Sequence, residues 1–133
     1  MSKCLMIVDD SPVMRSFVKR TLLAAGLPVD TCLEAANGLD ALEKLRAFNL
    51  VGSIDLILTD INMPVMDGEG LLAELKRDVA LASIPVVVVS TDSTDQRVGT
   101  LMRLGASDYV RKPFPPERLS QVLSGIFPGW SGQ

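Results

Sequence analysis

Histidine is missing from this 133-residue chain. That excludes a histidine general base, a histidine metal ligand and a phosphohistidine carried on the chain itself. Cysteine is scarce, with only Cys4 and Cys32. Both fall in predicted strands, where small buried side chains are the expected reading and a disulfide is not. No basic excess exists: 13 Lys and Arg stand against 16 Asp and Glu, for a net charge of -3. This argues against a general nucleic-acid binder. No stretch approaches the apolar length of a membrane span, and no positively charged segment followed by a cleavable apolar one opens the sequence. The cytoplasm is the default expectation. What remains is a globular composition, 47% hydrophobic and 22% charged, at a length that fits one domain with a full core.

Short apolar runs alternate with longer helix-like stretches. Predicted strands cover Lys3 to Val8, Val29 to Ala35, Ile54 to Thr59, Val86 to Val89 and Asp108 to Arg111. The run at Val86 is apolar throughout and that at Ile54 is apolar except for Asp55, which points to burial on both faces and parallel pairing. Ser11 and Pro12 signal a helix start, and Val13, Phe17 and Leu22 make its inward stripe. That helix stops near Gly26. Asn37-Gly38 is a turn signal before a second amphipathic helix, and Asn49 to Ser53 form the connection after it. Further helices run from Glu69 to Val79, Thr94 to Leu104 and Glu117 to Phe127. Five strands alternating with five helices predict a (βα)5 three-layer α/β sandwich around a parallel five-stranded sheet. Residues 1–127 form the domain, and residues 128–133 read as a flexible tail.

Acidic residues stand at two strand ends: Asp9 and Asp10 after the first, Asp60 after the third. If those strands are adjacent and parallel, the three carboxylates meet in one pocket and repel, which calls for a cation. With carboxylates as ligands, Mg²⁺ is expected and Mn²⁺ is possible. The backbone carbonyl of Asn62 is a further ligand candidate. Taken singly, Asp60 could cap a turn, and the acid pair could answer a helix N-terminus. Ser90 and Lys112 fall at strand ends on the same rim, where ligands bind in such folds. A carboxylate there is able to attack phosphorus and form an acyl phosphate, with the lysine and a hydroxyl stabilising the charge.

Together these residues resemble the receiver domain of bacterial response regulators, from Lys3 to about Phe127. The matching residues are Asp9-Asp10, the run Asp60-Ile61-Asn62-Met63-Pro64-Val65-Met66-Asp67-Gly68, Ser90, Gly105-Ala106-Ser107-Asp108-Tyr109 and Lys112-Pro113-Phe114. The resemblance implies the flavodoxin-like sheet order 2-1-3-4-5, which sets strand one beside strand three. It implies that Asp60 accepts a phosphoryl group from a histidine kinase or phosphotransfer protein in a Mg²⁺-dependent reaction. The domain itself would catalyse that transfer, followed by slow autodephosphorylation. Lys112 and Ser90 would stabilise the phosphoryl group, while Ser90 and Tyr109 would act as the switch. Pro64, Gly68 and Pro113 would be structural. Apart from the family, Tyr109 also reads as an amphipathic residue half-buried at a sheet edge. Thr91 occupies a position where a smaller residue is frequent, and it is expected to alter access to Asp60. The chain between Asp10 and Asp60 is several residues longer than in the most compact members, with Asn49 to Ser53 as the site of the extra length.

The tail carries no basic stretch and no DNA-binding domain follows, so a stand-alone receiver of chemotaxis or phosphorelay type is expected. Its output surface would be helix four, strand five and helix five, acting on a protein target, with a weak homodimer left open. The alternatives are a phosphorylation-independent adaptor and a receiver fragment of a larger regulator or hybrid kinase. A Mg²⁺-dependent phosphohydrolase of small substrates is a further reading, weakened by the lack of a cap or long lid.

Overall fold

The computed structural model describes residues 2–47, 53–92 and 94–130. Five strands, β1 (Lys3–Val8), β2 (Val29–Ala35), β3 (Leu56–Thr59), β4 (Val86–Ser90) and β5 (Asp108–Arg111), alternate with five helices. The helices are α1 (Pro12–Ala24), α2 (Gly38–Ala47), α3 (Gly68–Arg77), α4 (Asp95–Arg103) and α5 (Pro116–Ile126). All pairings are parallel, in the order β2-β1-β3-β4-β5. The expected three-layer sandwich and sheet order are therefore present.

Successive side chains of a strand face opposite ways, and this alternation divides the core in two. Met6, Val8, Ile57, Val86 and Val88 meet Leu42 and Leu45 of α2, Leu71, Leu72 and Leu75 of α3, and Leu101 of α4. Leu5, Ile7, Leu56, Leu58, Val87 and Val89 meet Val18 and Leu22 of α1 and Leu119, Val122 and Leu123 of α5. Cys4 packs against the first cluster and Cys32 against the second, so the sheet separates the two free thiols. Because α1 and α3, which follow the adjacent strands β1 and β3, leave the sheet on opposite faces, a crevice opens beyond the ends of those strands. Such a switch point is where this kind of sheet binds ligands.

Several local readings differ from the structure. Val13 is 71% exposed, so the inward stripe of α1 is carried by Val18 and Leu22. Strand β3 begins at Leu56, two residues later than expected. Asp55 spends its backbone and carboxylate on Cys4, with Asp55 N donating to Cys4 O at 2.8 Å and Cys4 N to Asp55 Oδ2 at 2.8 Å. Helix α3 stops at Arg77, and Val79 lies in the turn that follows. The expected connection at Asn49 to Ser53 lies outside the described residues except for Ser53.

The tail read as flexible from Pro128 lies outside the described residues at 131–133, and within it Trp130 is packed. Its side chain is 1% exposed and belongs to the α1/α5 half of the core. The indole Nε1 donates to Pro28 O at 2.9 Å, and the ring meets Phe127 edge-on with centroids 5.6 Å apart. Lys3 Nζ lies 4.6 Å from the Phe127 ring centroid on the same end of the sheet. An indole with a partner for its N–H gains by burial, which outweighs the polar character of its neighbours in sequence.

Candidate functional site

The site is built where three strands end. β1 delivers Asp9 and Asp10, β3 delivers Asp60, and β5 delivers Lys112. The amide of Asp9 donates to Ala35 O at 3.0 Å and that of Asp60 to Val8 O at 2.9 Å, so parallel pairing continues up to the acids. Carboxylate oxygens of Asp9, Asp10 and Asp60 lie within 4.8 Å of one another. Asp9 is buried, Asp60 is partly buried, and Asp10 is exposed.

Lys112 is buried with them. Its Nζ lies 2.8 Å from Asp9 Oδ2 and 3.7 Å from Asp60 Oδ2. Of the two carboxylates, Asp9 is the tighter partner. The Lys112-Pro113 bond is cis. Asp9 Oδ1 accepts from Ser11 N at 2.9 Å, and Ser11 in turn caps α1 by accepting from Met14 N at 3.3 Å. Asp60 Oδ1 accepts from Ile61 N at 2.7 Å. Burial raises the Asp60 carboxyl above its ordinary pKa; Lys112 and the Ile61 amide oppose the shift, and Asp9 adds to it. One ammonium among three carboxylates leaves an excess of negative charge on hard oxygen donors. That donor set fits a divalent cation such as Mg²⁺ or Mn²⁺. Among the described residues no hydrogen bond is made to the Asn62 carbonyl, which leaves it free as an additional oxygen donor.

The β3–α3 loop is shaped by close approach. Gly68 N donates to Ile61 O at 2.7 Å, and a Cβ on Gly68 would fall 2.2 Å from the Asp60 carbonyl oxygen. Only glycine permits the start of α3 to lie against the residue that carries the central carboxylate. Asp67 caps that helix, accepting from Gly70 N at 2.8 Å. Pro64 is expected to shape the loop, and the tight turn follows it. Met66 N donates to Pro64 O at 2.8 Å across Val65, whose φ is 70°. A β-branched residue in that region is strained. Met63 is buried, as packing alone requires.

Ser90 is buried at the end of β4; its Oγ accepts from Asp92 N at 3.2 Å and sits close enough to Asp60 to favour the carboxylate. Thr91 is exposed and lines an apolar groove with Val13, Phe17 and Pro113 beside Lys112. Tyr109 is half-buried and turned inward, its hydroxyl donating to the Asp92 carbonyl and, at 3.3 Å, to Ser90 O. Burial raises the phenol pKa, and Asp92 adds to it.

Residues 5–124 match the family model described as the response regulator receiver domain. The chain belongs to this family. Receiver domains of this type are phosphorylation-activated switches that act through protein contacts, and the family binds divalent metal. This receiver is 35% identical over 122 residues to the chemotaxis protein CheY1 of Helicobacter pylori, covering 92% of this chain and 94% of that protein. It superposes on the CheY of the Borrelia burgdorferi CheX–CheY–BeF3–Mg complex with a TM-score of 0.83 at 26% identity, covering 94% of this chain and 89% of that one. The Mn²⁺-bound response regulator Rcp1 gives a TM-score of 0.76 at 28% identity, over 97% of this chain and 94% of its own.

The structure thus brings together Asp9, Asp10, Asp60 and Lys112, with Ser90 and Tyr109 next to them. Sequence reasoning passed over Arg15 and Glu34. Arg15 donates from Nη1 to the Asp9 carbonyl at 2.7 Å and from Nε to Glu34 Oε1 at 2.8 Å. The only sequence signal was an arginine in the first turn after the acid pair, and a surface arginine reads the same way.

Proposed function

We propose that Asp60 is the phosphoacceptor of this receiver and that its donor is a phosphohistidine on a kinase or phosphotransfer protein. The observation that carries the reading is the convergence of three carboxylates within 4.8 Å around a buried lysine. An Asp60 carboxylate oxygen attacks phosphorus, the P–N bond breaks, and the electron pair leaves with the donor imidazole. Asp9, Asp10, Asp60 and the Asn62 carbonyl would hold Mg²⁺, with Mn²⁺ as substitute; the ion supplies charge neutralisation for the phosphoryl oxygens. Lys112, 3.7 Å from Asp60, adds a second positive charge. The Ser90 hydroxyl turns from the Asp92 amide to donate to a phosphoryl oxygen. Tyr109, bonded to the carbonyls flanking that movement, carries the change to α4, β5 and α5. Thr91 narrows the approach to Asp60, while Pro64, Gly68 and Pro113 hold the surrounding loops.

Output passes to a protein target through the α4–β5–α5 face. The likeness to a receiver solved in complex with CheX supports a protein partner. A stand-alone receiver in the cytoplasm is part of the same proposal, supported by the likeness to chemotaxis proteins over nearly their whole length.

The test is intact mass after incubation with acetyl phosphate, in Mg²⁺ or chelator, for wild type and Asp60→Asn. One phosphoryl adduct is expected, in Mg²⁺ only and in wild type only. If no adduct and no beryllofluoride complex form, the phosphorylation-independent adaptor replaces this reading.

A further inference from the structure

Asp9 is held on every side. Its amide and both carboxylate oxygens are engaged by Ala35, Ser11 and Lys112. The remaining group, its carbonyl, accepts from Arg15 Nη1 at 2.7 Å. Arg15 does not act alone. Its Nε bonds Glu34 Oε1 at 2.8 Å, and the other oxygen of Glu34 accepts from Lys19 Nζ at 3.0 Å. The Glu34 carbonyl accepts from Lys44 Nζ at 2.7 Å. Glu34, on the edge strand β2, therefore ties α1 and α2 to one point. The Arg15 side chain is only 17% exposed, and its planar fork meets two acceptors at once, which a lysine ammonium on a flexible stem does not reproduce.

We propose that Arg15, braced by Glu34, is a positioning residue for the divalent-cation site. It would fix the turn from β1 into α1, so that Asp9 and Asp10 present their carboxylates without a further ordering cost. The inference rests on the cation-site reading given above. Charge and positioning predict opposite signs here. A guanidinium beside the site repels a cation, so removing it should tighten binding if charge alone mattered. If positioning dominates, removal weakens binding.

The experiment measures Mn²⁺ affinity by calorimetry on the full, metal-free chain for wild type, Arg15→Lys, Arg15→Gln and Glu34→Gln. Melting in chelator accompanies each, so that affinity is compared among folded proteins. Both Arg15 variants should bind Mn²⁺ roughly 10-fold more weakly, the scale expected when a group that orients a ligand is lost. Arg15→Lys keeps the charge, so a loss of affinity there reads positioning alone, and it carries the test if Arg15→Gln fails to fold; Glu34→Gln should lose affinity by a smaller factor. Arg15→Lys binding like wild type, Arg15→Gln binding more tightly, or Glu34→Gln binding unchanged would each overturn the proposal. Wild type that binds no Mn²⁺ would overturn the cation site itself, and this inference with it; wild type that binds while the variants match it overturns this inference alone.

Discussion

Asp60→Asn should stabilise the metal-free protein, although it removes the proposed phosphoacceptor. Oxygens of three carboxylates lie within 4.8 Å of one another, and a pair of unit charges at that separation repels by about 3.5 kcal/mol at an effective dielectric of about 20. Asp60 takes part in two such pairs. Lys112 at 3.7 Å returns an attraction of about 4.5 kcal/mol on the same basis. The balance is repulsive by about 2.5 kcal/mol before solvent weakens the contribution of exposed Asp10. A net gain of about 1–2 kcal/mol is expected for the neutral, isosteric amide, or about 4–7 °C in Tm for a domain of this size. Excess Mg²⁺ should close or reverse the gap, because wild type gains about 2.7 kcal/mol at 100 times Kd and the variant, short of one ligand, gains less.

The pH dependence has a definite sign. The folded-state pKa of Asp60 is raised, so the folded protein holds this proton more tightly than the unfolded chain does. Ionised Asp60 therefore costs stability at neutral pH, and wild type recovers it as pH falls through the folded pKa toward the unfolded value. The advantage of Asp60→Asn should be largest near neutrality and shrink in acid. Thermal melts by circular dichroism in chelator and in Mg²⁺, over a pH series, read all of this. A variant less stable than wild type in chelator, or a gap that widens in acid, would refute the electrostatic argument.

Three other perturbations have clear expectations. Trp130→Ala should cost about 3 kcal/mol or more in urea unfolding, since it empties a buried indole site and leaves Pro28 O with one of its two donors, the Lys3 amide; a change near zero would show that the indole does not contribute to the core. Gly68→Ala forces a methyl to within 2.2 Å of the Asp60 carbonyl and should destabilise by about 1–3 kcal/mol while slowing acetyl-phosphate labelling; normal stability and labelling would count against a rigid loop. Val65→Gly should stabilise by about 1 kcal/mol, as relief at φ 70° exceeds the added backbone entropy of glycine; a loss measured in the same urea series would contradict strain there.

The order of elements and the rim that carries the site were written in the sequence, because both rest on local signals. Apolar runs of four to six residues declare buried strands, and a charged residue at the end of such a run must leave the core, which places Asp9 and Asp60 at the rim; Lys112, after the polar strand Asp108–Arg111, is placed there by its likeness to the family pattern. Other features depended on which surfaces meet. Lys112 rests closer to Asp9 than to Asp60 because its direction is set by β5 and the turn after it, relative to two other strands. Val13 faces solvent, although its spacing suits an inward stripe, because the rotation of α1 is set by packing Val18 and Leu22 on the sheet. Trp130, in a polar tail of glycine and proline, is buried because Phe127 and the Pro28 carbonyl lie within its reach. The Arg15–Glu34 brace joins residues 19 positions apart, on a helix and an edge strand. Sequence patterning determines which residues must avoid or reach water; only the tertiary arrangement decides which of them face each other, since that depends on the relative rotation and register of elements distant along the chain.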